Sequence, residues 1–186
     1  MKTISNFRLR VAQLALMMLV PIAAPYLKAD QQPTSDSAAA IAILSPAQGF
    51  DVVGNVQFIP TKNGVRIVAR ITNLTPGKHG FHIHEKGDLS APDLSSAGPH
   101  FNPTNNPHAG PDAKQRHMGD LGNLTADSNG VAMLDYVDQH LSIEGAHSII
   151  GRAVIVHSGP DDLKTQPSGD SGKRVAGGVI KKSDRK

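Results

Sequence analysis

Cysteine is absent from all 186 residues. This excludes disulfides, thiolate metal sites, a lipid-modified cysteine and a cysteine nucleophile, so any metal must be held by histidine and carboxylate. Tryptophan is absent too, and aromatic residues make up only 4% of the chain. Apolar runs are short: Val11–Val20 is about half the roughly 20 residues that a spanning helix needs. Beyond residue 29 no segment carries a helical period, and there is no internal repeat.

The formal charge of +3 suggests at first a polyanionic partner. Its origin removes that reading. Lys2, Arg8 and Arg10 make a basic start, the run Val11–Val20 follows, and Pro21 ends it before the small residues Ala23, Ala24 and Ala29. Residues 1–29 therefore read as a secretory signal peptide, with cleavage expected after Ala29 in preference to Ala24, where Pro25 would follow the cut. Four basic residues (Lys2, Arg8, Arg10, Lys28) leave with it and no acid does. Of 19 basic and 16 acidic residues, 15 and 16 remain, a net charge of −1. Nucleic acid is not an expected partner, and neither is a stable membrane anchor; the protein is expected to be secreted or periplasmic. Residues 30–38 read as a flexible linker, 39–182 as one domain and 183–186 as a basic tail.

Plentiful glycine and proline suit a fold of many turns. Strand-like runs fall at 39–44, 52–59, 65–72, 80–84, 130–137, 149–157 and 176–180, with Asn63-Gly64 as a hairpin turn between the second and third. The pattern predicts an all-β fold, an antiparallel sandwich or barrel. Two long stretches, 85–119 and 158–174, have no period of their own. Loops of that length in a small domain are usually functional.

The histidines carry the chemistry. His82 and His84 lie two apart on a strand and so project to one face. His100, His108 and His117 follow inside the first long loop, with Asp120 three residues later, and His157 ends a late strand. A structural metal would explain how so long a loop is ordered. Three neutral imidazoles and a carboxylate suit closed tetrahedral zinc, and an all-imidazole set suits tetragonal Cu(II). Six histidines and one aspartate serve both if one imidazole is shared. His140 and His147 read as surface or hydrogen-bonded residues.

Five ordered segments, Gly80-Phe-His-Ile-His-Glu85, Gly98-Pro-His-Phe-Asn-Pro103, His117-Met-Gly-Asp-Leu-Gly-Asn123, Gly151-Arg-Ala-Val-Ile-Val-His157 and Arg174-Val-Ala-Gly-Gly-Val-Ile180, resemble the copper-zinc superoxide dismutase family, over roughly residues 40–181. The resemblance implies an all-β, Greek-key antiparallel β-barrel or immunoglobulin-like sandwich, dismutation of superoxide to dioxygen and hydrogen peroxide, and a homodimer contact that the absence of cysteine puts in question. It implies copper bound by His82, His84, His100 and His157, and zinc by His100, His108, His117 and Asp120, with His100 bridging. It also implies that Asp161 links His82 to His108, and that Arg174 attracts the anion beside the copper, with Lys164 and Lys173 adding positive field. One departure is plain. The family's usual disulfide joins the metal loop, near Leu89 or Leu94, to the position held here by Gly177, and neither cysteine is present. The expectation is that the first long loop depends heavily on metal for its order. Two readings compete. A metal carrier of the same fold needs neither Arg174 nor a bridging His100. A purely structural β domain leaves six ordered histidines and two long loops unexplained.

Overall fold

Hydrophobic alternation closes into a barrel. The structure, a computed structural model, describes residues 38–183. The expected leader (1–29), nearly all of the expected linker (30–38) and residues 184–186 of the expected basic tail lie outside the described residues. Nine strands form: β1 (Ala40–Pro46), β2 (Val53–Thr61), β3 (Gly64–Thr72), β4 (Gly77–His84), β5 (Asp120–Ala126), β6 (Ala132–Asp138), β7 (Ala153–His157), β8 (Arg174–Val179) and β9 (Lys181–Lys182). Their order is β2-β3-β6-β5-β4-β7-β8-β1, and β1 pairs again with β2, so eight antiparallel strands close on themselves. β9 extends the β8 edge along β1. The neighbours β3–β6 and β4–β7 are not consecutive in sequence, which is the Greek-key crossover. Closure leaves no long unpaired edge. Among the described residues there is no α-helix, only a 3-10 turn at Ser95–Ala97.

Residues at alternate positions fill the interior. Ala40, Ala42 and Leu44 of β1, Val56 and Phe58 of β2, Ile67, Ala69 and Ile71 of β3, Phe81 and Ile83 of β4, and Val154 and Val156 of β7 are all buried in one cluster. β7 departs from half-buried alternation: all five of its residues are buried. The loop 85–119 covers its outer face, where Leu94 and Ala97 pack with Ala47, Ala153 and Ile155 in a second cluster, with Phe50 and Leu89 against it.

Strand ends shift by one to three residues from the sequence reading, and three differences go further. The strand β5 carries no clean alternation, because Gly122 turns to φ 77° in its middle and Asn123 follows it. The hairpin between β2 and β3 turns on Lys62-Asn63, with Thr61 paired to Gly64. Residues 149–152 form a turn ahead of β7 rather than part of it.

Candidate metal centre

The barrel carries its chemistry on the outer face, under the two long loops. On β4, Phe81 and Ile83 point inward and His82 and His84 point outward. Register then aligns the rest. His82 pairs with Asp120 of β5 across one edge of β4 and with Ile155 of β7 across the other. His157, ending β7, pairs with Arg174, opening β8. The loop 85–119 is stitched to β4: Phe101 N–H donates to the Ile83 carbonyl at 2.8 Å, and Ile83 N–H donates to the Gly119 carbonyl at 2.9 Å. These bonds bring His100 opposite His84 and deliver His117 to the start of β5.

Two clusters result, each with its ligand atoms within 4.8 Å of one another. His82, His84, His100 and His157 form the first; His100, His108, His117 and Asp120 form the second. All seven side chains that the sequence singled out as ligands are brought together, and all are buried. His100 belongs to both clusters. Its Nδ1 lies 2.8 Å from Asp120 Oδ1, while its Nε2 is buried without a partner.

The ring nitrogens sort into held and free. His84 Nδ1 lies 2.8 Å from the Gly98 carbonyl, His157 Nδ1 lies 3.2 Å from the Gly172 carbonyl, and His82 Nε2 lies 2.8 Å from Asp161 Oδ2. The opposite nitrogens turn inward. His82 Nδ1, His100 Nε2, His108 Nδ1 and His117 Nδ1 have no hydrogen-bond partner. Buried, unpaired polar atoms are costly and rare. His108 Nδ1 and His117 Nδ1 lie 3.0 and 3.2 Å from Asp120 Oδ1, close enough for a bond but not aligned for one. Converging lone pairs of this kind are what a shared cation satisfies. Outer partners that fix the far nitrogen are the usual complement of metal-binding imidazoles. The donor sets therefore fit copper and zinc.

Asp161, from the second long loop, lies between the clusters. Its Oδ2 faces His82 and its Oδ1 lies 3.0 Å from His108 Nε2. Asn123 of β5 holds its backbone, donating to the Asp161 carbonyl at 2.9 Å and accepting its N–H at 2.8 Å. The approach is so close that a Cβ at Gly169 would overlap Asp161 Oδ1 and His108 Nε2. That residue also sits at φ 70°, where glycine alone is comfortable.

Electrostatics follow burial. Desolvation pushes His82, His84 and His157 down, the last two far down, and lowers His100 to about 4. The first cluster is therefore neutral and able to ligate at pH 7. For His108 burial opposes charge, but the two adjacent carboxylates, Asp120 close by and Asp161 hydrogen-bonded to Nε2, outweigh it and raise the ring to about 9. Burial likewise opposes charge on Asp120 and Asp161, yet their histidine partners hold both carboxylates far below the usual range.

Arg174 is held at the rim. Its Nη1 donates to the Leu94 carbonyl at 2.6 Å and its Nη2 to the Gly98 carbonyl at 2.7 Å, the same oxygen that faces His84 Nδ1. It lines an open cleft of 780 Å³ together with His84, His100 and His157. The second cation of that cleft is Arg152, with its guanidinium 3.4 Å over the Phe101 ring. Neither Lys164 nor Lys173 lines it; both are exposed, and Lys173 borders a neighbouring hollow. His140 and His147 are also exposed and stand apart from the centre.

Sequence reasoning passed over several supports. His79 is buried, with its ring nitrogens 2.8 Å from the carbonyls of His157 and Thr75. Arg116 is buried, paired with Asp138 at 2.5 Å, and donates to the carbonyls of His117, Met118 and Asp120. An arginine directly before a ligand histidine in the sequence is the signal for the second. The first has none beyond an extra histidine on a ligand-bearing strand.

Fold and site together define a Greek-key barrel with a buried centre for two metals sharing one imidazole. A family model described as copper/zinc superoxide dismutase (SODC) matches residues 52–180. An extracellular copper-zinc superoxide dismutase of Brugia pahangi is 42% identical over 153 residues, covering 77% of this chain and 76% of its own. Superoxide dismutase [Cu-Zn] 3 of Arabidopsis thaliana is 44% identical over 137 residues, covering 70% and 83%, and superoxide dismutase [Cu-Zn] 2 of Mesembryanthemum crystallinum is 45% identical over 137, covering 70% and 87%. The chain belongs to the copper/zinc superoxide dismutase family.

Proposed function

We propose that this centre dismutes superoxide, with copper held by His82, His84, His100 and His157 and zinc by His100, His108, His117 and Asp120. The observation that carries the reading is His100, whose two ring nitrogens face the two donor sets. Bound copper supplies a one-electron couple, so that two superoxide anions and two protons become one dioxygen and one hydrogen peroxide, while zinc supplies fixed charge. The chain supplies the rest. His100 Nε2 takes up a proton in one half of the cycle and releases it to the departing peroxide in the other. Arg174 draws the anion to the cleft and orients it; enzymes of this class are themselves a standard illustration of such steering. Asp161 and the carbonyls of Gly98 and Gly172 keep the imidazoles in ligand orientation. The family's extracellular member and the leader-like residues 1–29 support secretion of the mature domain. Among the described residues no helix is long and apolar enough to cross a membrane.

The test is metal analysis and a superoxide assay on one sample. The expected result is copper and zinc in equal amounts with activity. Asp120→Ala should lose zinc before copper, since only the zinc set contains that carboxylate. Copper lost first would overturn the assignment, and a metal-loaded, inactive protein would favour the carrier.

A further inference from the structure

His108 stands apart from the other members of the second set in how its backbone is held. His100 is bridged to β4, Asp120 opens β5, and the carbonyl of His117 accepts from Arg116. His108 lies mid-loop in no strand, and among the described residues neither its N–H nor its carbonyl has a backbone partner. Both groups are taken by a single side chain from the other long loop. Gln166 Oε1 accepts the His108 N–H at 2.8 Å, and Gln166 Nε2 donates to the His108 carbonyl at 2.8 Å. The second proton of Nε2 goes to the Lys164 carbonyl at 3.1 Å, which ties the amide to its own loop. Only one orientation of the carboxamide satisfies all three bonds, because a flip would set donor against donor and acceptor against acceptor. The arrangement mirrors the Asn123 amide, which takes the N–H and carbonyl of Asp161 in the same way.

We propose that Gln166 is a positioning residue for the zinc set, acting through the backbone of His108. The loop 158–173 then grips this one ligand at three points: the ring through Asp161, and the N–H and carbonyl through Gln166. The carboxamide is needed specifically. A carboxylate can accept from the N–H but presents a second oxygen to the His108 carbonyl, where a donor is required.

The proposal rests on reading His100, His108, His117 and Asp120 as the zinc set, and the experiment separates the two claims. Zinc and copper affinities are measured by chelator competition on the metal-free full-length protein and on Gln166→Ala and Gln166→Glu. Amide hydrogen exchange at His108 is followed in the same metal-free samples. The expected result is zinc bound about 10–100-fold more weakly by both variants, the usual cost of losing an outer partner of a metal site, with copper affinity unchanged and faster exchange at His108. Cobalt placed in the zinc site should show an altered visible spectrum in both. Full zinc affinity in Gln166→Glu would mean that the side chain merely fills space, and equal loss of both metals would mean that it supports the loop at large; either overturns the proposal. Unchanged exchange at His108 in Gln166→Ala would also overturn it. Failure of the unmodified protein to bind zinc would instead overturn the reading of the site.

Discussion

At the residue scale the centre is a matter of which nitrogen each imidazole offers. His84 and His157 lie on strands, hold their Nδ1 atoms to carbonyls and turn Nε2 inward, where the two Nε2 atoms lie 3.4 Å apart. His82 does the reverse, because Asp161 takes its Nε2. The spacing of His82 and His84 shows that both rings share a face, but the choice of nitrogen depends on partners 14 to 79 residues away. For Arg174 the expected behaviour is that of a charge. Arg174→Lys should retain much of the activity, whereas Arg174→Glu should lose most of it and reverse its salt dependence, because steering is screened over a Debye length of about 8–10 Å. Equal activity of the two variants with copper retained would remove Arg174 from the mechanism. The titrations give a second expectation, for the metal-free protein. His100 falls from its ordinary 6.5 to about 4, and His82, His84 and His157 are also lowered, all chiefly by burial. Their unfolded forms bind protons more readily, so their contribution to stability is present above about pH 6.5 and is lost as pH falls toward 4. His108, raised to about 9, acts in the opposite sense, and its contribution fades as pH rises from 6.5 through 9. With four groups against one, the metal-free melting temperature should fall more steeply on the acid side of pH 6.5 than on the alkaline side. A profile steeper toward alkali would contradict this.

At the scale of elements, the loop 85–119 is two structures rather than one. Its first half is packed: Leu94 and Ala97 are buried over β7, Lys86 N–H donates to the Ala97 carbonyl, and Gln48 N–H donates to Pro92. Its second half, from His100 to His117, carries ligands and has few apolar contacts, with only Phe101 buried in the core. With no disulfide to tie the loop down and the zinc ligands within it, the sequence suggested that metal orders the stretch from about Leu89 to Gly119. The structure limits that dependence. Zinc removal should accelerate amide exchange across 104–116 and leave 91–97 protected, as measured by hydrogen exchange with and without metal. Uniform loss across 85–119 would mean that the apolar cluster does not hold on its own. The strand β5 shows the converse difficulty. It brings Asp120 to His82, yet Gly122-Asn123 interrupts the alternation in its sequence, and Asn123, paired with Gly80 through its backbone, turns its side chain to Asp161.

For the whole molecule, the absent disulfide is the main stability question. A cross-link from near Leu94 to residue 177 would close roughly 85 residues, worth about 4–5 kcal/mol in the chain-entropy model. In its place Leu94 and Leu89 occupy the space beside Gly177: a Cβ there would lie 3.0 Å from Leu94 Cδ1 and 3.3 Å from Leu89 Cδ2. Fully burying a leucine side chain stabilises by about 1.5–3 kcal/mol; Leu94 is buried and Leu89 only partly buried, so the pair offsets part of the missing bond. The same packing sets the Leu94 carbonyl that receives Arg174, so the guanidinium is placed without a covalent tie. The expected leader at residues 1–29 is tested on the whole chain. Expressed with residues 1–29 attached in a secreting host, the exported protein should begin at Asp30, as N-terminal sequencing would show; an intact Met1 on exported protein would refute cleavage.

The sequence alone determined what is local or counted. Without cysteine the metal donors had to be histidine and carboxylate, the two-residue period at His82 and His84 put both rings on one face, and alternating apolar positions called for an antiparallel sandwich or barrel. Five ordered motifs were enough to point to the family. Tertiary structure decided everything that needs two distant segments in one place. Barrel closure brings His157 against Arg174 and His82 against Asp120, and the long loops then deliver His100, His108 and Asp161 between them. Which nitrogen faces a metal, which amide secures a backbone, and which leucines pack beside Gly177 are contacts between residues far apart in sequence, and no period along the chain encodes them.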